Sequence, residues 1–357
     1  MQRILVVKLA DIGDVLTATP ALRALKRTFP HARITALVPP HCKDVLDGSP
    51  LVDDLILFDK RAFDSTGGAL RPGALRQLAG LGLRLRQGRF DALLLLHHLT
   101  TRGGAQKYAA LATAVGAPVR AGLENGRGWF LTHRAEDQGF GAFHEVEYCN
   151  QVVELLGVEP DYGPLAFPLA EDDVARGQAL LDGFPSKPRI ALHPGSGTYS
   201  LARRWPVERF AALAKGLVER LGATAIVVGG ADERPLGNAV TQAAGDSALD
   251  LTGRTSLREL GAVLHSCDLL VSNDGGVMHL ATAVGTPVVA LFGPSNHRAW
   301  GPWSPDAKST ILRSDLPCSP CFYTGHSLGT PEGCPERTCL HLITTEHVLN
   351  VVQRHFS

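Results

Sequence analysis

What most narrows the fold is a repeated hand-over, in which a short run of consecutive apolar residues gives way to a loop and then to a helical pattern. In the first half the runs are Ile4 to Val7, Ile34 to Val38, Leu55 to Phe58 and Asp91 to Leu96. In the second they are Arg189 to Leu192, Ala225 to Val228, Asp250-Leu251, Leu269 to Val271 and Val288 to Leu291. A strand that is apolar at successive positions is covered on both faces, as in a parallel sheet flanked by helices. Val15 to Thr28, Val207 to Leu221 and Leu257 to His265 have the periodicity to supply that cover.

The alternation pauses between Gly157 and Leu169, where Glu159-Pro160-Asp161-Tyr162-Gly163-Pro164 and Phe167-Pro168 mark a linker. A chain of 357 residues also exceeds one ordinary core. The expected architecture is α/β with two doubly wound, Rossmann-like domains, 1–158 and 159–340, facing across a cleft, and a closing segment 341–357 that contains an amphipathic helix, Thr344 to His355.

A formal net charge of zero gives no global field to attract nucleic acid, so no nucleic-acid partner is expected. Between Lys60 and Arg134, however, twelve Lys or Arg face only Asp64, Asp91 and Glu124. That segment is either an arginine-rich solvated surface or a site for an anionic partner. The first residues read as a strand without a basic leader or apolar signal core, and no apolar run suits a membrane helix. The expectation is a cytosolic protein that touches a membrane only from its surface.

Four strand ends in the second half carry glycine. After Leu269 to Val271 comes Ser272-Asn273-Asp274-Gly275-Gly276-Val277-Met278-His279, where the glycines let a ligand approach and the first helical N–H groups point at it, which suits phosphate. Asp274 and His279 can bond sugar hydroxyls or phosphate. After Arg189 to Leu192 comes His193-Pro194-Gly195-Ser196-Gly197-Thr198, with Arg203-Arg204 beyond it to clamp a diphosphate. The arginines also read as a solvated pair, and Trp205-Pro206 as a hydrophobic staple with proline at the first helical position. Gly229-Gly230-Ala231-Asp232-Glu233 offers a carboxylate for a ribose diol, or a first-turn partner of the helix dipole. Phe292-Gly293-Pro294 closes the fourth.

In the first half, Lys8-Leu9-Ala10-Asp11-Ile12-Gly13-Asp14-Val15 ends the first strand. Asp14 reads as a helix cap or as a general base for an acceptor hydroxyl, with Asp11 a competitor for either role. Neither a dinucleotide fingerprint nor a Walker loop is present. No Asp-x-Asp pair occurs, so a metal-bridged diphosphate is not suggested and no cofactor is expected for catalysis.

Cys318-x-x-Cys321, Cys334 and Cys339, with His326 and His341 nearby, have a spacing that suits a structural zinc. Disulfide clamping and free buried thiols stay open beside it.

Taken in order, Gly13-Asp14-Val15 with Thr19-Pro20-Ala21-Leu22, His193-Pro194-Gly195, Arg204-Trp205-Pro206, Gly229-Gly230, Leu251-Thr252-Gly253, Asn273-Asp274-Gly275 with Met278-His279-Leu280-Ala281, and Gly285-Thr286-Pro287 with Leu291-Phe292-Gly293-Pro294 resemble the ADP-heptose:lipopolysaccharide heptosyltransferases, glycosyltransferase family 9. The resemblance spans nearly the whole chain. It implies a GT-B fold whose last helix returns to brace the first domain, and inverting transfer of heptose from ADP-heptose. It also implies Asp14 as the catalytic base, and a donor site from Ser196, Gly197, Thr198, Arg203, Glu233, Asp274, Gly275, Gly276 and His279. An anionic glycolipid of the inner core at the inner membrane would then meet Arg61, Arg102, Lys107 and Arg120. The chain departs from the family pattern twice, with Arg203 where lysine is common and Gly275 where Thr or Ser is common. Two further readings keep the scaffold: a sugar-nucleotide epimerase, and a non-catalytic nucleotide-sugar binding protein.

Overall fold

The computed structural model describes residues 1–60, 72–184, 188–306 and 308–356. It divides into two compact units, 1–139 with 145–163, and 140–144 with 164–357. The short excursion 140–144 belongs to the second unit because Phe140 pairs with Gly325 and His144 Nε2 lies 2.9 Å from Gly301 O.

The first unit runs β1 (Arg3–Val7), α1 (Ile12–Thr17), α2 (Thr19–Thr28), β2 (Arg33–Val38), α3 (Lys43–Leu46), β3 (Asp54–Leu57), α4 (Pro72–Gln87), β4 (Ala92–Leu95), α5 (Arg102–Val115), β5 (Val119–Glu124), β6 (His133–Glu136) and α6 (Glu145–Glu154). Its six strands are parallel in the order β3-β2-β1-β4-β5-β6. Ile4 to Val7 and Ala92 to Leu95 are buried at every position, as expected of central strands. The helix expected over Val15 to Thr28 is two helices that meet at Ala18. Pro20 has no N–H for the Leu16 carbonyl, and Thr19 Oγ1 donates to that oxygen instead.

The second unit runs α7 (Glu171–Leu180), β7 (Arg189–His193), α8 (Val207–Leu221), β8 (Thr224–Val227), α9 (Arg234–Ala244), β9 (Ala248–Asp250), α10 (Leu257–His265), β10 (Leu269–Asn273), α11 (Gly276–Ala283), β11 (Val288–Phe292), α12 (His297–Trp300), β12 (Thr310–Arg313), the hairpin β13 (Phe322–Thr324) and β14 (Ser327–Gly329), α13 (Thr338–His341) and α14 (Thr345–His355). Its parallel sheet has the order β12-β11-β10-β7-β8-β9. Read from the other edge, this is the strand sequence of the first sheet. Each unit therefore has one switch point, where the order reverses: between β1 and β4, and between β7 and β10. Ligands of such sheets bind beyond the strand ends at that crevice.

Helix α14 buries Val348, Leu349 and Val352 in the core that holds Leu213, Ala214 and Leu217 of α8, so its apolar face is taken up within the second unit. The expected linker has no regular structure. It is tied down at Asp161, which accepts from Arg23 Nε and Nη2 at 2.9 and 3.0 Å and whose backbone is bonded both ways to the Asn150 amide.

Candidate active site

At the switch point of the second unit, Asn273 ends β10 and locks the facing loop. Its amide donates to Pro194 O at 3.0 Å and Gly195 O at 2.9 Å, and its carbonyl accepts from Trp205 N at 2.9 Å. Trp205 is fully buried, edge-on to Phe210, and its indole donates to Ile343 O. Pro206 lies just ahead of the helix rather than at its first position, which leaves Trp205 free to reach Asn273.

That anchor directs the arginines before it inward. Arg203 Nη1 pairs with Asp274 Oδ2 at 3.3 Å and Nη2 donates to Ser196 O at 3.0 Å, while its buried Nε makes no hydrogen bond. Arg204 reaches Ser196 Oγ, Gly197 O and Glu233 Oε1 at 3.2–3.4 Å. The pair is thus structured, not solvated.

Glu233 is buried at the centre. Its carboxylate accepts from Ser196 N and Gly197 N at 2.9 Å, from Gly230 N at 3.0 Å, and pairs with His193 at 3.2 Å. A Cβ on Gly195 would collide with that carboxylate, and Gly197 takes a left-handed φ of +68° to turn its N–H inward. Burial would push the Glu233 carboxyl up, but His193 and the Gly230 and Gly197 N–H groups hold it far below the ordinary range. Glu233 is therefore a permanent anion that binds two strand-end loops together, the one after β7 and its own after β8. Gly275 and Gly276 open α11, His279 is buried one turn on, and Thr198 is exposed at the loop tip.

The first unit's switch point carries Asp14, half-buried in α1 after β1. Asp11, at the N-cap of this helix, makes no side-chain cap bond and lies 3.3 Å from His41 Nε2. Burial pushes the Asp14 carboxyl up to about 6, against the pull of Lys8. A carboxylate of that basicity is suited to take a proton near neutral pH.

Among the basic residues expected to meet an acceptor, Arg102 opens α5 just after the β4 loop and Lys107 is exposed on the same helix. Arg120 pairs with Leu93, short of the strand end, and its Nε donates to Phe130 O at 2.7 Å, so it is not brought to the crevice. Arg61 lies outside the described residues.

The four C-terminal cysteines carry free thiols, Cys318 and Cys334 exposed, Cys321 half-buried and Cys339 buried. Among the described residues no group of three or more His, Cys, Asp or Glu is placed to hold a metal ion. No helix among the described residues is long and apolar enough to cross a membrane.

The sequence model of glycosyltransferase family 9 (heptosyltransferase) matches residues 79–330, well over half of the chain. The chain belongs to glycosyltransferase family 9. It is similar to lipopolysaccharide heptosyltransferase 2 of Escherichia coli K12, 27% identical over 317 residues that cover 82% of this chain and 83% of that protein. It is also similar to lipopolysaccharide heptosyltransferase 1 of Pseudomonas aeruginosa, 28% identical over 90% of this chain and 86% of that one. Among solved structures, the family 9 glycosyltransferase of Veillonella parvula matches with a TM-score of 0.77 and 26% identity over 99% and 97% of the two chains. E. coli heptosyltransferase WaaC with ADP shares the fold, with a TM-score of 0.74 at 19% identity over 99% and 100%. The two parallel six-stranded units are thus the GT-B fold. As a family 9 member the protein is a glycosyltransferase, which sets aside the epimerase and the non-catalytic readings.

Of the donor residues expected from the sequence, Ser196, Gly197, Arg203, Glu233 and Asp274 converge, together with Arg204, offered with Arg203 as a diphosphate clamp, and His193, to which no role was assigned. In the first unit a buried row of ion pairs, Lys8–Glu145–His98–Asp137, was not expected from the sequence either. Their only sequence signals are a lysine directly after β1 and a histidine pair, His97-His98, directly after an all-apolar strand.

Proposed function

We propose that the protein moves a heptose from ADP-heptose to an anionic glycolipid of the lipopolysaccharide inner core, of Kdo–lipid A type, with inversion and without a metal ion. The observation that carries this reading is Asp14, half-buried at a switch point with its carboxyl pushed up to about 6, in a member of this family.

In the reaction the acceptor oxygen bonds to the anomeric carbon as the bond from that carbon to the ADP oxygen breaks. The acceptor proton passes to Asp14 and ADP departs with the electron pair. Arg203, with its unused Nε–H, and the α11 N-terminus beyond Gly275 supply positive charge for the departing diphosphate. Lipopolysaccharide heptosyltransferases are among the relatives, and the basic, acid-free α5 start at Arg102 and Lys107 suits a phosphorylated or carboxylated acceptor. Such an acceptor would be met in the cytoplasm at the inner membrane surface.

The test is a thermal-shift panel of ADP-, UDP-, GDP- and CDP-linked sugars, followed by transfer assays in EDTA. Stabilisation by ADP-heptose and chelator-resistant transfer to Kdo–lipid A support the reading. Selectivity for another base, or transfer only with added divalent metal, removes it.

A further inference from the structure

Four buried side chains of the first unit stand in a row whose charges alternate, and the row ends at Lys8, on the strand-end loop that leads to Asp14. Asn125 Nδ2 and Gly139 N donate to Asp137 at 2.7 and 2.9 Å, and Asp137 Oδ1 lies 3.0 Å from His98 Nδ1. His98 Nε2 lies 2.8 Å from Glu145 Oε1, and Glu145 Oε2 lies 3.3 Å from Lys8 Nζ. Lys8 in turn interacts with Asp14. Asp137, His98, Glu145 and Lys8 are all buried, and they come from the ends of β6 and β4, the start of α6 and the end of β1.

Buried ion networks are poor stabilisers, because well-packed apolar side chains of similar volume generally do as well or better. A chain of four such charges whose last member, Lys8, opens the loop that leads to Asp14 calls for another role. We propose that Lys8 and Glu145 are positioning residues that set the ionisation of Asp14 in opposite directions, with His98 and Asp137 holding them in place. The proposal rests on the reading of Asp14 as the base.

The charge states agree with this. Burial works against the Lys8 ammonium, yet Cys149, Glu145 and Asp14 raise its pKa well above the ordinary lysine value. Burial likewise opposes a charged His98, but Glu145 and the bond to Asp137 push it up to about 9, so it is an imidazolium at neutral pH. Among the described residues Asp14 is also faced by Asp11, which is exposed, and half-buried Lys60, with His41 of the turn before α3 lying 3.3 Å from Asp11. On the helices packed against α1, Arg23 and Arg27 are turned to Asp161, Lys26 to Asp53 and Lys43 to Asp47, with Asp44 on α3 and Glu147 on α6. The Cys149 thiol is pushed up to about 12 by burial and is neutral. Lys8 and Glu145 are the two buried, oppositely charged neighbours.

The experiment is a carbon-13 NMR titration of the Asp14 carboxyl in the full chain, with the resonance identified by its loss in Asp14→Asn. Wild type should titrate near pH 6. Lys8→Met should raise the midpoint by about one unit or more, and Glu145→Gln should lower it. The acidic limb of kcat/KM, measured with ADP-heptose and Kdo–lipid A, should move the same way in each variant. Loss of fold alone would not drive the two midpoints apart. Should Lys8→Met not fold by circular dichroism, Glu145→Gln decides: a lowered midpoint supports the proposal and an unmoved one overturns it. Midpoints that shift together also overturn it. Because the titration needs no turnover, an inactive wild type would count against the transfer reading and leave this test intact.

Discussion

Arg203 Nη1 pairs with Asp274 Oδ2 at 3.3 Å, so the guanidinium best placed to meet a diphosphate is held by a carboxylate of the facing loop. The pair holds Arg203 over Ser196, and in the proposed donor role it would limit the rotamer entropy lost on binding. Where lysine is common in the family, the planar fork of Arg203 holds Asp274 and Ser196 O together, which a single ammonium does with different geometry.

Arg203→Ala should weaken ADP binding by roughly 10- to 100-fold, the scale of one charge-assisted hydrogen bond. Isothermal calorimetry with ADP checks this. Affinity within a factor of two of wild type would take Arg203 out of the donor site.

Asp14→Asn should lower kcat by about 10²–10⁴-fold while ADP binding persists. In the wild type kcat/KM should rise with pH through about 6, because the base works only when ionised. The same raised pKa has a stability consequence. A carboxyl whose folded pKa exceeds its unfolded one contributes stability at low pH and loses that contribution as pH rises through about 6. Asp14→Asn should therefore melt higher than wild type at pH 8 and alike at pH 4, as in other trades of stability for activity.

Glu233 has the opposite sign. Its folded pKa is depressed, so its contribution is complete above the ordinary glutamate range and erodes as pH falls below about 4.5. Glu233→Gln should cost about 1–3 kcal/mol at pH 7 and flatten the acid limb of the stability curve. Urea titrations at pH 7 and pH 4 measure both. Equal slopes with pH in the two proteins would contradict the anion's role in binding the loops.

Gly275 is open to change. Its backbone is extended, and the nearest atoms to an added Cβ are those of Ser196 at 3.9 Å. Gly275→Ser should leave the melting temperature nearly unchanged and tighten ADP binding by about two- to tenfold, through one added hydroxyl at the α11 N-terminus. Weaker binding would mean that the glycine is needed for the approach of the ligand.

The central strands were legible because burial on both faces leaves consecutive apolar residues, as in Ala92 to Leu95 and Leu269 to Val271. Strands β5 and β6 were not. Arg120, Glu124, His133 and Arg134 give them the polarity of a surface segment, and only their pairing beside β4 makes them strands. The break at Ala18 was foreseeable from Pro20, whereas the excursion 140–144 left no local trace.

The sequence by itself determined the alternation of strand and helix, the glycine-bearing strand ends and the candidacy of Asp14, Ser196 and Asp274, because these depend on neighbours along the chain. Tertiary structure decided which charges meet. Lys8 and Glu145 are 137 positions apart and His193 and Glu233 are 40 apart, and no local pattern links them. Setting β4 beside β1 and β10 beside β7 creates the two crevices, and a buried charge then keeps only the partner that the fold delivers to it.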